Sequence, residues 1–219
     1  IHEANHGSYG QALGPEAAKP DWNRIWVYQN AVPPNPLVAD LAKARGVDPV
    51  EVFIDLSLEG DFKQYFLSFV TSPEEGPLLE VMRHPRSVMT FSDSGAHVSQ
   101  IVDSCIHTYL LAHWTRELGA FTLEESIRMI TLAPARAWGL HDRGLLREGM
   151  IADINIFDPV ALSPGMPELV HDLPGKAPRL KMKARGILAT IVSGEIVLRN
   201  GQHTGQLPGH LLRRGRPNS

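Results

Sequence analysis

The first side chains in the chain that could do chemistry are His2, Glu3 and His6, which fit the H-E-x-x-H pattern of zinc peptidases. The pattern works inside a helix, because histidines four residues apart then share a face and the glutamate reaches a metal-bound water. Gly7 and Gly10 follow at once, so the local sequence does not sustain a helix of the required length. We interpret this match as accidental and expect no peptidase site there.

A stronger candidate is the carboxylate of Asp93. Residues 65–97 predict a strand, a helix, a second strand at 87–91 and a polar turn with a glycine, which is the order of a parallel β/α unit. In β/α barrels and doubly wound sheets, the loops after the carboxyl ends of strands carry the chemistry. Asp93 lies in such a loop, whereas His84 precedes the second strand and is expected to be structural. Because an aspartate in a turn is commonly a local cap, capping is the alternative role for Asp93.

Helix caps and apolar patterns predict the elements that position this loop. Asp48, followed by proline, has the chemistry of a helix start, and Gly46 ends the helix before it. Thr122 and Glu125 stand in capping-box register, and Gly139 fits a helix C-cap. The predicted elements are a strand within 21–29, helices at 37–46 and from 48, a strand at 65–70, a helix within 72–85, a strand at 87–91, a helix at 101–118 and helical sequence at 122–139.

The sequence changes character near residue 144. A proline-rich stretch occupies 163–178, and residues 186–204 predict a β-hairpin that turns at Ser193 and Gly194. We therefore predict a domain boundary near residues 144–152, with residues 1–143 in one domain and residues 144–219 in the other.

The composition is that of an ordinary globular protein and limits the classes of partner. With 43% hydrophobic residues, 21% charged residues and a net charge of −3, the chain lacks the basic field that would attract nucleic acid or an anionic membrane. It contains no apolar run of membrane-spanning length. We therefore expect neither nucleic acid nor membrane as a partner.

A single cysteine, Cys105, cannot form an internal disulfide, which favours a cytoplasmic location. It falls on the apolar stripe of the predicted helix at 101–118, where we expect a buried and unreactive side chain. His107 and His113 lie on the same predicted helix and are expected to be surface or packing residues.

Three segments carry a resemblance to a known family: "FSDSGAHVSQ", "TLAPARAWGLHDRGLLREGMIADINIFDP" and "VSGEIVLRNGQHTGQLPGHLLR". From about Asp21 to Arg214 the chain resembles the C-terminal part of the amidohydrolase superfamily, and within it the N-acyl-D-amino-acid deacylase (D-aminoacylase-like) branch. The resemblance implies an α/β chain that forms the C-terminal part of a metal-dependent hydrolase (β/α)8 barrel plus a small β-sandwich.

The same resemblance implies the site residues and the reaction. Asp93 matches the family aspartate that binds the metal, expected to be zinc, and manages protons on the hydrolytic water. A carboxylate beside a divalent ion can accept a proton from metal-bound water and pass it to the departing amine. Ser94 and Gly95 follow in the same loop, where their main chain is expected to approach the substrate, a small N-acyl amino acid or a related amide. His97 in this loop is a candidate contact to the substrate or to a proton network, and the alternative is a loop histidine hydrogen-bonded locally.

Other parts of the family pattern are not found in this sequence. The remaining metal ligands of the family would precede it, and a barrel of eight units needs about 250 residues. A lone aspartate does not hold a catalytic zinc, which takes three protein ligands. We therefore expect a piece of a longer polypeptide or a split subunit, with the other ligands outside this chain.

Two hypotheses follow for the function. In the first, the chain belongs to a metal-dependent hydrolase of amide bonds other than peptide bonds. In the second, it is a truncated or split scaffold that acts only in assembly and catalyses nothing. In either case an incomplete barrel leaves open strand edges, so we expect a homo-oligomer or a complementing chain.

Overall fold

The computed structural model describes residues 20–69, 74–96 and 98–212. The chain divides into two compact units, Ile1–Leu78 and Leu79–Ser219, and each is described by itself. The domain boundary expected near residues 144–152 falls within the second unit and stays a prediction. The candidate site residues His2, Glu3, His6 and His97 lie outside the described residues.

The first unit contains a two-stranded sheet and a helical hairpin. Strand β1 (Ile25–Tyr28) pairs antiparallel with β2 (Tyr65–Ser68). Helices α1 (Val38–Arg45) and α2 (Pro49–Glu59) lie between the two strands in the chain. The sequence predicted all four elements at these places.

Cap chemistry explains the helical hairpin. Gly46 ends α1 with a φ of 70°, a left-handed conformation that glycine adopts without strain. The Asp48 carboxylate accepts the Val50 N–H at 2.8 Å and caps the start of α2. The sheet and both helices then share one buried core, made by Val27, Val38, Ala42 and Val52.

The parallel β/α unit expected over residues 65–97 is not formed. Strand β2 pairs antiparallel with β1, and residues 87–91, predicted as an apolar strand, have no strand partner among the described residues. Helix α3 (Glu75–Arg83) is present as predicted. A buried parallel strand needs neighbours on both edges and helices on both faces. Here Phe91 is 75% exposed, so burial does not hold this segment in a ladder.

The helix expected at 101–118 begins later and is partly π-helical. Helix α4 (Ile106–Tyr109) leads into a π-helical segment, Leu110–Glu117, in which the Leu118 N–H donates to the His113 carbonyl at 2.9 Å. The Thr115 hydroxyl donates to the Leu110 carbonyl at 3.0 Å. Wider winding of this kind is rare and cannot be read from apolar spacing.

The helical region predicted at 122–139 is present and consists of two helices. In α5 (Leu123–Ile130), Thr122 and Glu125 form the expected capping box, with the Thr122 N–H at 2.8 Å from the glutamate carboxylate. Helix α6 (Leu132–Trp138) ends at Gly139, whose φ of 73° is left-handed.

The rest of the second unit is built from antiparallel strands. One sheet has the order β3-β6-β7-β8, formed by β3 (Ile154–Phe157), β6 (Ile187–Val192), β7 (Glu195–Arg199) and β8 (Gln202–His203). A second sheet pairs β4 (Ser163–Val170) with β5 (Arg179–Arg185). The hairpin between β6 and β7 turns at Ser193 and Gly194, with φ values of 50° and 86°, as the sequence predicted.

The described residues are therefore α/β with several sheets. No closed barrel and no parallel pair of strands forms among residues 20–69, 74–96 and 98–212. The barrel and the β-sandwich stay predictions. No helix in the described part of the chain is long and apolar enough to cross a membrane.

Candidate active site

Asp93 lies in an exposed turn of the second unit. Its carbonyl accepts the Ala96 N–H at 3.0 Å, and the Ser94 N–H donates to the Ser92 hydroxyl at 3.3 Å. These bonds close a tight turn. Gly95 within it has a φ of 108°, a conformation that residues with a side chain rarely adopt. Within the described part of the chain, the Asp93 carboxylate makes no hydrogen bond or ion pair. It therefore remains open to water, to a cation or to a substrate.

Two bonds fix this turn to the elements around it. The Asp93 N–H donates to Oδ2 of Asp103 at 2.9 Å. The Val98 carbonyl accepts the Leu180 N–H of β5 at 2.8 Å. The turn is thus bonded to the segment before α4 and to the β4–β5 sheet, and it does not follow a parallel strand.

Asp103 is the residue of this site that sequence reasoning missed. Its carbonyl accepts the Ile106 N–H at 3.2 Å, at the start of α4. Its second carboxylate oxygen, Oδ1, is buried and has no hydrogen-bond partner in the described structure. The predicted helix at 101–118 placed Asp103 inside a helix. The helix in fact begins at Ile106, so Asp103 precedes it, and an aspartate just before a helix start is a capping signal.

The structure brings three of the four predicted site residues together. Asp93, Ser94 and Gly95 share the exposed turn, and His97 lies outside the described residues. His84 is exposed, and its ring Nδ1 accepts the Arg86 N–H at 3.2 Å, a local contact of the kind expected for a structural residue.

The two histidines fit the packing and surface roles expected of them, whereas Cys105 is half-buried and lies just before α4 rather than on a helix. His113 is buried beside the Tyr109 and Trp114 rings, with centroid distances of 5.0 and 5.6 Å, and His107 is exposed. Burial raises the pKa of the Cys105 thiol to about 11, so it stays protonated at neutral pH. A protonated thiol is a poor nucleophile and a poor metal ligand.

A complete metal centre is not present among the described residues. No group of three or more His, Cys, Asp or Glu side chains in residues 20–69, 74–96 and 98–212 could hold a metal ion. A catalytic zinc takes three protein ligands and keeps one open position. The described side chains therefore do not fit a zinc site by themselves, and Asp93 supplies at most one ligand.

Comparison with known proteins gives one family and several relatives. The sequence profile of the amidohydrolase family matches residues 13–198. D-aminoacylase of Alcaligenes xylosoxydans xylosoxydans is 32% identical over 105 residues, which are 48% of this chain and 20% of that protein. N-acyl-D-glutamate deacylase of the same organism is 43% identical over 51 residues, which are 23% of this chain and 10% of that protein. The matches thus span a fifth or less of the length of these two relatives.

A solved structure of D-aminoacylase, studied for its binuclear metal centre, is 21% identical. The superposition covers 78% of this chain and 33% of the D-aminoacylase chain, with a TM-score of 0.45. A likeness at this level adds nothing to the family match.

Proposed function

This chain belongs to the amidohydrolase family, and from that premise we propose that it is one part of a hydrolase that cleaves carbon–nitrogen bonds other than peptide bonds. The observation that carries the proposal is the family match over residues 13–198, which includes the Asp93 turn. Similarity to D-aminoacylase and to N-acyl-D-glutamate deacylase supports an N-acyl-D-amino acid as the substrate.

In this proposal Asp93 is the catalytic carboxylate that the chain contributes. Its exposed carboxylate can take a proton from the hydrolytic water and return it to a leaving amine. Ser94 and Gly95 lie in the same turn, and with His97 they are proposed to contact the substrate. Asp93 is also proposed to be one ligand of a divalent metal, expected to be zinc, whose other ligands lie outside this chain.

The proposed partners follow from the same composition and site. The substrate is a small acylated amino acid or a related amide, and neither nucleic acid nor a membrane is involved. The active form is a homo-oligomer or an assembly with a complementing chain, and we place it in the cytoplasm.

Metal content and hydrolysis test this function together. The chain is purified, checked by intact mass, and assayed for zinc and for release of amino acid from N-acetyl-D-glutamate and other N-acetyl-D-amino acids. The same assays are made on the assembly isolated with the chain from its source cells. We expect no bound zinc in the chain alone, and hydrolysis by the assembly.

Replacing one carboxylate identifies the catalytic residue. Asp93→Asn lowers kcat at least about hundredfold, the size of an acid–base contribution. Asp61→Asn serves as the control. Asp61 is exposed in the first unit, and in the described structure its carboxylate pairs only with Lys63, at 2.7 Å. Hydrolysis that is unchanged in Asp93→Asn contradicts the proposal. An assembly that hydrolyses no acylated amino acid would favour the scaffold instead.

A further inference from the structure

Asp103 connects the Asp93 turn to the start of α4. Its Oδ2 accepts the main-chain N–H of Asp93 at 2.9 Å, and its own carbonyl accepts the Ile106 N–H at 3.2 Å. One residue therefore links the turn to the start of the helix. The bond from the Asp93 N–H to a side chain ten residues further along the chain restrains the main chain at Asp93.

The other oxygen of Asp103 distinguishes this residue from a solvent-exposed turn cap. Oδ1 is buried without a partner in the described structure. Leaving a buried carboxylate oxygen unpaired is unfavourable, and such an atom is explained by strain, by a catalytic role or by a bound water or ion. A carboxylate in an exposed turn cap can instead bond its spare oxygen to water.

Asp158 provides that comparison within the same unit. Its Oδ1 accepts the Val160 N–H at 2.8 Å and the Ala161 N–H at 3.2 Å, and the residue is exposed. Both aspartates thus bind main-chain amides of a turn, but only the Asp103 bond restrains the residue that carries the proposed chemistry.

We propose that Asp103 is a positioning residue, which holds the main chain of Asp93 so that its carboxylate is presented in one orientation for hydrolysis. The inference rests on the proposed function of Asp93. Asp103 itself touches neither substrate nor reacting atoms, and it acts only through the bond to the Asp93 amide.

Amide hydrogen exchange in the chain measures the restraint directly, without metal or substrate. Asp103→Ala removes the acceptor, and exchange at the Asp93 amide becomes about tenfold faster, the change expected for loss of one hydrogen bond. Asp103→Asn keeps a side-chain oxygen as acceptor and restores slow exchange. The matched control Asp158→Ala speeds exchange at Val160 and leaves Asp93 unchanged. Equal exchange at Asp93 in Asp103→Ala and in the unmodified chain overturns the proposal.

Kinetics of the hydrolytic assembly test the consequence. Asp103→Ala lowers kcat about tenfold or more while KM changes little, because orientation of Asp93 matters in the transition state. Asp103→Asn recovers most of the loss, and Asp158→Ala retains the original kcat. Faster exchange with unchanged kcat in an active assembly refutes the positioning role. If the unmodified assembly is inactive, the proposed function fails, and the exchange comparison still decides whether Asp103 holds the turn.

Discussion

At the scale of single residues, several carboxylates of the second unit bind main-chain amides. The segment "GMIADINIFDP" contains two of them. Asp153 accepts the Ser193 N–H at 2.9 Å and the Arg143 guanidinium at 2.6 Å, which ties the start of β3 to the β6–β7 turn. Asp158 caps the turn that follows β3. The acidic residues of this family pattern are therefore structural here, and Asp93 differs from them because its carboxylate has no such partner in the described structure.

Asp172 is another exposed carboxylate, and an ion pair lowers its pKa. The Arg179 guanidinium donates hydrogen bonds to Asp172, one of them at 2.7 Å, and lowers the Asp172 pKa from 3.8 to about 2. Because the folded value lies below the unfolded value, the pair stabilises the fold above about pH 4. That contribution disappears as the pH falls through about 2.

An NMR titration of the Asp172 carboxyl carbon checks this shift. Arg179→Gln should move the pKa of Asp172 back toward 3.8, because the hydrogen bond from Arg179 is the largest cause of the shift. Arg185→Gln, on the same strand, should leave it near 2. A midpoint near 3.8 in the unmodified chain would show that the pair is not formed in solution.

At the scale of elements, Gly186 forms the connection between β5 and β6, where the turn after β3 packs against it. Gly186 has a φ of 78°, and a Cβ atom placed there would lie 2.6 Å from the Leu162 nitrogen. The Gly186 carbonyl also accepts the Asp158 N–H at 2.9 Å. The turn after β3 is thus packed directly against the main chain at Gly186, which leaves no space for a side chain.

Gly186→Ala should therefore be far more destabilising than an ordinary glycine substitution. We expect a loss of about 3 kcal/mol or more in the free energy of unfolding, from the left-handed φ and from overpacking together. Gly201→Ala is the matched control, since Gly201 has a φ of 76° but open space around it, and it should cost about 1 kcal/mol. Urea unfolding followed by circular dichroism measures both. Equal losses would mean that the close approach at Gly186 is absent.

At the scale of the whole molecule, much apolar surface is exposed on the described residues. Leu146 is 77% exposed and Leu207 is 82% exposed, and strand β3 forms an edge of its sheet with Ile156 47% exposed. An open edge with apolar side chains is a template for pairing with another chain. Self-association is therefore expected for the isolated chain.

Light scattering over a range of concentrations tests this expectation. We expect a mass of at least twice the 24.1 kDa of one chain. Ile156→Lys on the edge strand should shift the mass toward the monomer, because a lysine on an edge opposes pairing. Leu207→Lys replaces another exposed aliphatic side chain, which lies outside the strands, and should shift it less. A monodisperse monomer at all concentrations would exclude association through this edge.

The sequence by itself determined the features that depend on a few neighbouring residues. The Asp48 cap, the Thr122–Glu125 capping box, the glycine ends of α1 and α6 and the turn at Ser193 are satisfied by main-chain groups close by in the chain. The family was also recognisable from the sequence, because each motif that carries the resemblance is a continuous run of residues. Local geometry of this kind is fixed by residue type, so it can be predicted without knowing what packs against it.

Only the tertiary structure decided which segments pair and which side chains are buried. Strand β2 pairs with β1, about 40 residues away in the chain, while the apolar residues 87–91 have no strand beside them in the described structure. The bond between Asp103 and Asp93 spans ten positions and depends on where α4 begins. A strand or a buried acid is stable only if a distant partner satisfies it, and the identity of that partner is set by packing of the chain rather than by the residues next to it.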